Sequence, residues 1–289
     1  MFNVLTNRLE ISGTLHLETA LRIGAGRALE PDATDLPVIK DGFGRPYIPG
    51  SSFKGVLRTY AESLLRAIAP NPEFVQKLAC NPLSEDARQS FRRCLTNSEV
   101  RELKGNDEDL VYGTCLACRL FGAQWLASPL QIRDLLIDKQ FLYNERYSHY
   151  EVRNGVAINR DTETAADGML YDFEAVPAGV TFQFKALVEN AEPELLGLFF
   201  LALRAFEEGR KALGGATSRG LGGVRLEWTG TYLDFKEISN TNSRPEERLD
   251  VIVGYLTGEQ SGLTIRPGDQ KLKEWAKSLR DEIAQMELE

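Results

Sequence analysis

The chain holds four cysteines, Cys80, Cys94, Cys115 and Cys118, and all of them fall within one stretch of a 289-residue sequence. Cys115-Leu116-Ala117-Cys118 has the spacing that lets two thiolates occupy one edge of a tetrahedral metal site. Cys80 and Cys94 can supply the opposite edge, so four sulfurs can converge on a structural Zn2+ without any histidine. No ligand position is then left open for catalysis. Redox-active or simply buried thiols are the other readings of the same residues. A disulfide framework is disfavoured in a chain of this length that lacks an export signal.

Two further segments carry groups suited to phosphate. Pro49-Gly50-Ser51-Ser52 reads as a turn that delivers the chain to a helix start, where free backbone N–H groups and the helix dipole favour an anion. Lys54 and Arg58, four residues apart, would extend a polar face beside it. An ordinary capped helix with two solvated cations fits the same residues. The second segment, Ala212 to Arg225, holds Gly214, Gly215, Gly220, Gly222 and Gly223 with Arg219 among them. Glycines of this density allow close backbone approach to a ligand or positive φ, although no Gly-Lys-Ser/Thr follows and a plain flexible turn is equally compatible.

The elements that must position these groups can be read from periodicity. Residues 8–18 alternate, with Leu9, Ile11, Gly13, Leu15 and Leu17 on one face, which predicts a strand. Residues 52–69 switch to helical spacing through Phe53, Val56, Leu57, Tyr60, Leu64 and Ile68, with Ser51 or Ser52 as cap and Pro70 as stop. Strands follow at 130–137 and 180–188. A second helix has Pro193 in its first turn and Leu195, Leu198, Phe199, Ala202 and Phe206 on its apolar face. Val224, Leu226 and Trp228 mark a last strand.

The order is β-α-β-β-α-β, so the expected class is α+β with a ferredoxin-like core over residues 1–234. Two insertions interrupt it, one at about 70–129 with all the cysteines and one at about 140–178 that is polar, aromatic and rich in turn residues; both are too long for plain connections. Residues 235–289 read as a helical extension, polar from Ser239 to Arg248 and then a charged helix from Gln270 to Glu289 that is either solvated, the preferred reading, or a partner contact.

Composition sets outer limits. With 43% hydrophobic residues the chain can bury a sizeable core. No apolar run approaches membrane-spanning length, and the expected compartment is the cytoplasm. A net charge of −8 argues against coating nucleic acid by long-range attraction alone, while leaving room for local basic faces. Of the two histidines, His16 lies on the polar side of the first strand and His149 in the second insertion.

Taken together, Gly24-Ala25-Gly26-Arg27, the run from Asp35-Leu36-Pro37-Val38-Ile39 through Pro49-Gly50-Ser51-Ser52-Phe53-Lys54-Gly55, and the glycine-rich loop closely resemble the RAMP superfamily. Within it, residues 8–233 look most like the repeated backbone subunits of type III CRISPR complexes. The resemblance implies an RRM-like core whose copies, or paralogous RAMP subunits, stack along a guide (crRNA). It carries guide contact onto Ser51, Ser52, Lys54 and Arg58 at the helix start and onto Arg219, Gly220, Gly222 and Gly223 in the loop. The second insertion is similar to the thumb hairpin that wedges into the guide–target duplex. Arg153, Asn159 and Arg160 would hold phosphate there, with Met169 or Leu170 as the apolar wedge; a satellite core under a surface loop, including Tyr171 and Phe173, is the other reading.

Family members that cut the paired target RNA use an aspartate in the loop before the Pro-Val-Ile strand, and here that position is Asp35. The resemblance implies that Asp35 holds Mg2+ or Mn2+, or positions the attacking 2′-hydroxyl for in-line cleavage to a 2′,3′-cyclic phosphate. A surface loop acid, like Asp32 nearby, is the bland alternative. The expected function is therefore a guide-binding backbone subunit with metal-dependent endoribonuclease activity on target RNA. The alternatives are a purely structural subunit and a guide-processing endoribonuclease, the last disfavoured by the scarcity of histidine.

Overall fold

The computed structural model describes residues 4–26, 34–82, 93–103, 105–142, 149–235, 249, 253–254, 257 and 262–288. Its centre is strand β1 (Asn7–Leu17), whose alternation buries Leu9, Ile11, Leu15 and Leu17 on one face. On one side β1 pairs antiparallel with β7 (Thr181–Glu189), and on the other with β8 (Val224–Asp234), so that Ile11 faces both Ala186 and Gly230. The flanking strands are β3 (Leu130–Ile132) against β7 and β9 (Leu263–Ile265) against β8. The sheet order is β3-β7-β1-β8-β9.

Helices α1 (Gly50–Ile68) and α7 (Pro193–Glu207) contribute to the main core beneath this sheet. Phe53 of α1 is fully buried where the layers meet, its ring 5.1 Å from Phe184 of β7 and 4.7 Å from Phe206 of α7. The α1 stripe is Phe53, Leu57, Ala61 and Leu65, four residues apart, while Ile68 is exposed. Along the chain the main elements come as β1, α1, β3, β7, α7, β8.

Three expectations need correction. Neither Ser51 nor Ser52 caps α1: Pro49 stands at the cap, and the N–H of Gly50 donates to Asp134 Oδ1 at 2.8 Å. The same contact explains why the strand expected at 130–137 is broken. Arg133 N–H still donates to Lys185 O of β7 at 3.1 Å, but the chain turns off at Asp134, and β4 (Leu135–Leu136) pairs with β2 (Tyr47–Ile48) just ahead of α1. Gly50 has to be glycine here, since a Cβ would lie 2.2 Å from the carbonyl of Ile132.

The C-terminal segment is the third. The helix expected from Gln270 to Glu289 is present as Gln270–Leu288 but is not simply solvated, because it packs on α7, and ahead of it β9 extends the main sheet. Trp275 is buried, stacked 5.5 Å from Phe200 and edge-on to Tyr232 at 5.1 Å. The approach is close enough that a Cβ on Gly197 would sit 2.3 Å from Trp275 O. The polar stretch from Ser239 to Arg248 lies outside the described residues, as do Arg27 and Asp32.

The two insertions take different forms. The first holds α2 (Pro72–Leu78), α3 (Asn97–Glu102), α4 (Asp107–Tyr112) and α5 (Leu116–Phe121). Phe74, Leu78, Leu116, Leu120 and Phe121 join the main core, so this region is tied to the body by apolar packing as well as by its thiols. The second, after α6 (Lys139–Leu142), is the antiparallel pair β5 (Glu151–Asn159) and β6 (Thr164–Ala175), with a register shift between Val156 and Ile158. Among the described residues no helix is long and apolar enough to cross a membrane.

Candidate nucleic-acid interface and thiol cluster

The glycine-rich loop is folded back against the turn that follows β1. Gly215 N–H donates to Arg22 O at 2.8 Å, Gly222 N–H to Ala20 O at 2.8 Å and Gly223 N–H to Thr19 Oγ1 at 2.8 Å. Gly222 is held at φ +83°, where an added Cβ would stand 2.0 Å from Leu213 O, so the fold itself demands glycine there. Gly220, φ +86°, closes the short 3-10 turn Thr217–Arg219 and faces open space.

This loop and the start of α1 line an open cleft of about 580 Å³. Ser51, Ser52, Thr59 and Thr217 give it hydroxyls and Lys211 gives it a cation; among the described residues no carboxylate lines it. For a chain of net charge −8 that is a marked local departure. Lys211 also lies over the Tyr60 ring, 5.3 Å from its centroid. The helix N-terminus is less open to an anion than its sequence suggests, because the Asp134 carboxylate already accepts from Gly50.

Lys54 and Arg58 turn away from this cleft. Lys54 Nζ donates to Ser128 Oγ and Leu130 O, both at 2.7 Å. Burial, with Arg58 nearby, lowers its pKa to about 8. Arg58 donates to Glu62 at 2.7 Å, to Gly122 O at 2.9 Å and to Cys118 Sγ at 3.2 Å. The two cations pin α1 to the cysteine insertion and the β3 edge rather than forming an exposed face.

The cysteines converge. Their four sulfurs lie within 4.8 Å of one another, and Cys80 Sγ is 3.6 Å from Cys118 Sγ. Zinc–thiolate bonds of about 2.3 Å imply tetrahedral edges of about 3.8 Å, so the cluster fits such an ion with little adjustment. Cys80, Cys115 and Cys118 are buried and Cys94 is half-buried. Contact with Cys115 pushes the Cys80 thiol up, while contacts with Cys115, Cys118 and Cys80 pull Cys94 down. Without a cation, then, the sulfurs cannot all carry charge together; a bound metal, with the Arg58 guanidinium beside Cys118, removes that restriction.

Asp35 is exposed and lies against the hairpin. Its N–H donates to Asp172 Oδ1 at 2.7 Å, and the N–H of Asp172 on β6 returns a bond to Asp35 Oδ2 at 3.2 Å. Downstream, Leu36 bridges Phe173, and Glu174 accepts from Val38 N–H at 2.9 Å and from Lys40 Nζ at 3.0 Å. Lys40 in turn sits 3.6 Å from the Tyr150 ring centroid.

The hairpin's two faces differ. Tyr171 and Phe173 turn towards the body: the Tyr171 hydroxyl accepts from Arg219 at 2.7 Å, and the Arg22 guanidinium lies 5.8 Å from the Phe173 centroid. Gly155 makes room for the Tyr171 ring, which a Cβ would meet at 2.2 Å. Met169 and Leu170 are 58% and 71% exposed, and Val156, paired with Leu170, is exposed beside them. Arg160 is exposed without a partner among the described residues, whereas Arg153 donates to Glu151 at 2.6 Å and Asn159 accepts from Asp161 N–H. His149 lies at the hairpin's base, and His16 is 3.6 Å from Glu227.

Arg22, Lys211 and Asp172 are groups that sequence reasoning passes over. The Nε of the Arg22 guanidinium has no hydrogen-bond partner among the described residues, and the group lies beside the backbones of Gly24 and Gly215. Only its place between two glycine segments could have marked it.

Against known proteins, the family model described as the RAMP superfamily matches residues 14–225. A protein of Methanocaldococcus jannaschii named CRISPR system Cms endoribonuclease Csm3 is 27% identical over 257 residues, covering 86% of this chain and 90% of that protein. A Mycobacterium tuberculosis protein of the same name is 48% identical over 54 residues, 18% of this chain and 23% of that protein.

Proposed function

The chain belongs to the RAMP superfamily, and on that premise we propose that it is a guide-RNA-binding backbone subunit of a type III CRISPR effector complex that also cleaves the paired target RNA. The observation that carries guide binding is the cleft between α1 and the glycine-rich loop, with four hydroxyls, Lys211 and, among the described residues, no carboxylate. Hydroxyls and backbone N–H groups grip a ribose-phosphate chain without reading its sequence, which suits a subunit that must accept any guide. Arg22 and Arg219 extend that grip towards the hairpin. We read the body as ferredoxin-like, since the element order and the strand order β3-β7-β1-β8 agree with that arrangement.

Ser51, Ser52, Gly220, Gly222 and Gly223 line or shape the guide channel in this reading, and Lys54 and Arg58 act by holding α1 in place. The hairpin is the thumb: Arg153, Asn159 and Arg160 lie along the duplex and Met169 with Leu170 insert as the wedge. Copies of the chain, or paralogous RAMP subunits, are its neighbours along the guide. The thiol cluster holds a structural Zn2+.

Cleavage falls to Asp35. Its Oδ2 is engaged by Asp172 N–H, while its other oxygen has no partner among the described residues and is available to a hydrated divalent cation. Mg2+ or Mn2+ bound there would neutralise charge developing on the scissile phosphate. The Asp35 carboxylate itself orients the 2′-hydroxyl of the target for in-line attack on the adjacent phosphorus. As the 2′-oxygen bonds to phosphorus its proton passes to solvent, the P–O5′ bond breaks and O5′ takes a proton from water, leaving a 2′,3′-cyclic phosphate and a 5′-hydroxyl.

The test is target cleavage by the assembled, guide-loaded complex with Mg2+ or Mn2+. Asp35→Ala is expected to abolish regularly spaced cuts while guide binding is retained. If the wild type never cuts, or the variant cuts equally well, the chain is a scaffold or another group does the chemistry. Guide binding has its own check: Lys211→Gln should weaken it and reduce the salt slope of affinity by about one.

A further inference from the structure

Among the described residues, both hydrogen bonds made by Asp35 go to one partner, Asp172. The residues just downstream are fixed more heavily: Glu174 N–H donates to Leu36 O at 3.1 Å, and the Glu174 carboxylate receives Val38 N–H and Lys40. Asp35 thus stands one residue beyond a firmly seated segment. Its own direction is set by the Asp172 pair.

We propose that Asp172 is a positioning residue for Asp35, through which the β6 strand of the hairpin sets where the cleaving carboxylate points. The inference rests on the reading of Asp35 as the cleaving acid. Asp172 acts in two ways. Its Oδ1 accepts the Asp35 N–H and fixes the backbone, and its own N–H binds Asp35 Oδ2 and turns the other oxygen outward. Because Asp172 pairs across the hairpin with Asn154, a shift of the hairpin against a duplex would move the acid with it.

A side-chain change at Asp172 removes only the first of these bonds, and an amide can restore it, since its oxygen accepts an N–H as a carboxylate does. The experiment compares single-turnover cleavage at saturating target by guide-loaded complexes carrying wild type, Asp35→Ala, Asp172→Ala and Asp172→Asn, with guide and target affinity measured alongside. Asp172→Ala is expected to slow cleavage about tenfold at unchanged affinities, and Asp172→Asn to recover to within about threefold of wild type.

Full-rate cleavage by Asp172→Ala, with Asp35→Ala inert, overturns the inference and leaves the assignment of Asp35 standing. An Asp172→Asn variant as slow as Asp172→Ala also overturns it, because the negative charge and not the acceptor would then be what matters. Full-rate cleavage by Asp35→Ala removes both readings together.

Discussion

The two insertions leave the same body and end in opposite conditions. The cysteine insertion turns inward: its helices join the main core, its thiols meet beside α1, and Arg119 of α5 donates to Glu194 on α7 at 2.7 Å and to Glu282 on the C-terminal helix at 2.8 Å. The hairpin turns outward. Its base is tied to the Asp35 segment, but Val156, Ile158, Met169 and Leu170 face solvent. One insertion spends its side chains on cohesion and the other keeps them for a surface, so changes in the first should be read in stability and changes in the second in RNA chemistry.

The largest effect that would sharpen this contrast is removal of metal or of a thiol. Cys115→Ser, or treatment with a strong chelator, is expected to lower Tm by about 10 °C or more and to expose the first insertion to protease. A chelator that leaves Tm unchanged would break the comparison. Arg119→Ala comes next, since it strands two carboxylates against the same interface, and should cost about 3 kcal/mol in denaturant unfolding. Burial holds Glu194 above its ordinary pKa even with Arg119 in place, so loss of the guanidinium is expected to hurt more as pH rises above about 4.5.

A smaller effect separates Lys54 from a solvated surface lysine. With its folded pKa near 8 against an ordinary 10.5, the unfolded chain holds more protons between those values. Stability contributed through Lys54 therefore rises with pH across that window, and Lys54→Met should flatten the rise in a series of unfolding curves. The smallest effect is expected on the hairpin: Met169→Ala and Leu170→Ala should change stability by no more than about 0.5 kcal/mol. A drop of several kcal/mol there would mean that the hairpin is a satellite core after all.

Periodicity and spacing carried much of the architecture. β1, β7, α7 and β8 follow from alternation or helical stripes that the structure buries as read, and the convergence of four thiols follows from their confinement to one insertion. What escaped depended on partners far along the chain. Ser51 and Ser52 look like caps, yet Pro49 stands at the cap and the Gly50 N–H donates to Asp134, 84 residues further on. Lys54 and Arg58 look solvated because nothing local discloses a carbonyl at Leu130 or a sulfur at Cys118. The C-terminal helix reads as exposed because only Trp275 and Leu279 are buried, and its seat is the absent side chain of Gly197. Asp172 beside Asp35 is a meeting of strand and loop across 137 residues, which no local pattern encodes.

The main sheet ends on both sides in strands of only three residues, Leu130–Ile132 and Leu263–Ile265. Among the described residues each rim offers little main chain to template another chain, and Lys54 already occupies the Leu130 carbonyl, which guards against edge-to-edge aggregation. If the chain lines up in series along a guide, as proposed above, contacts other than strand pairing between neighbouring sheets would hold that row together.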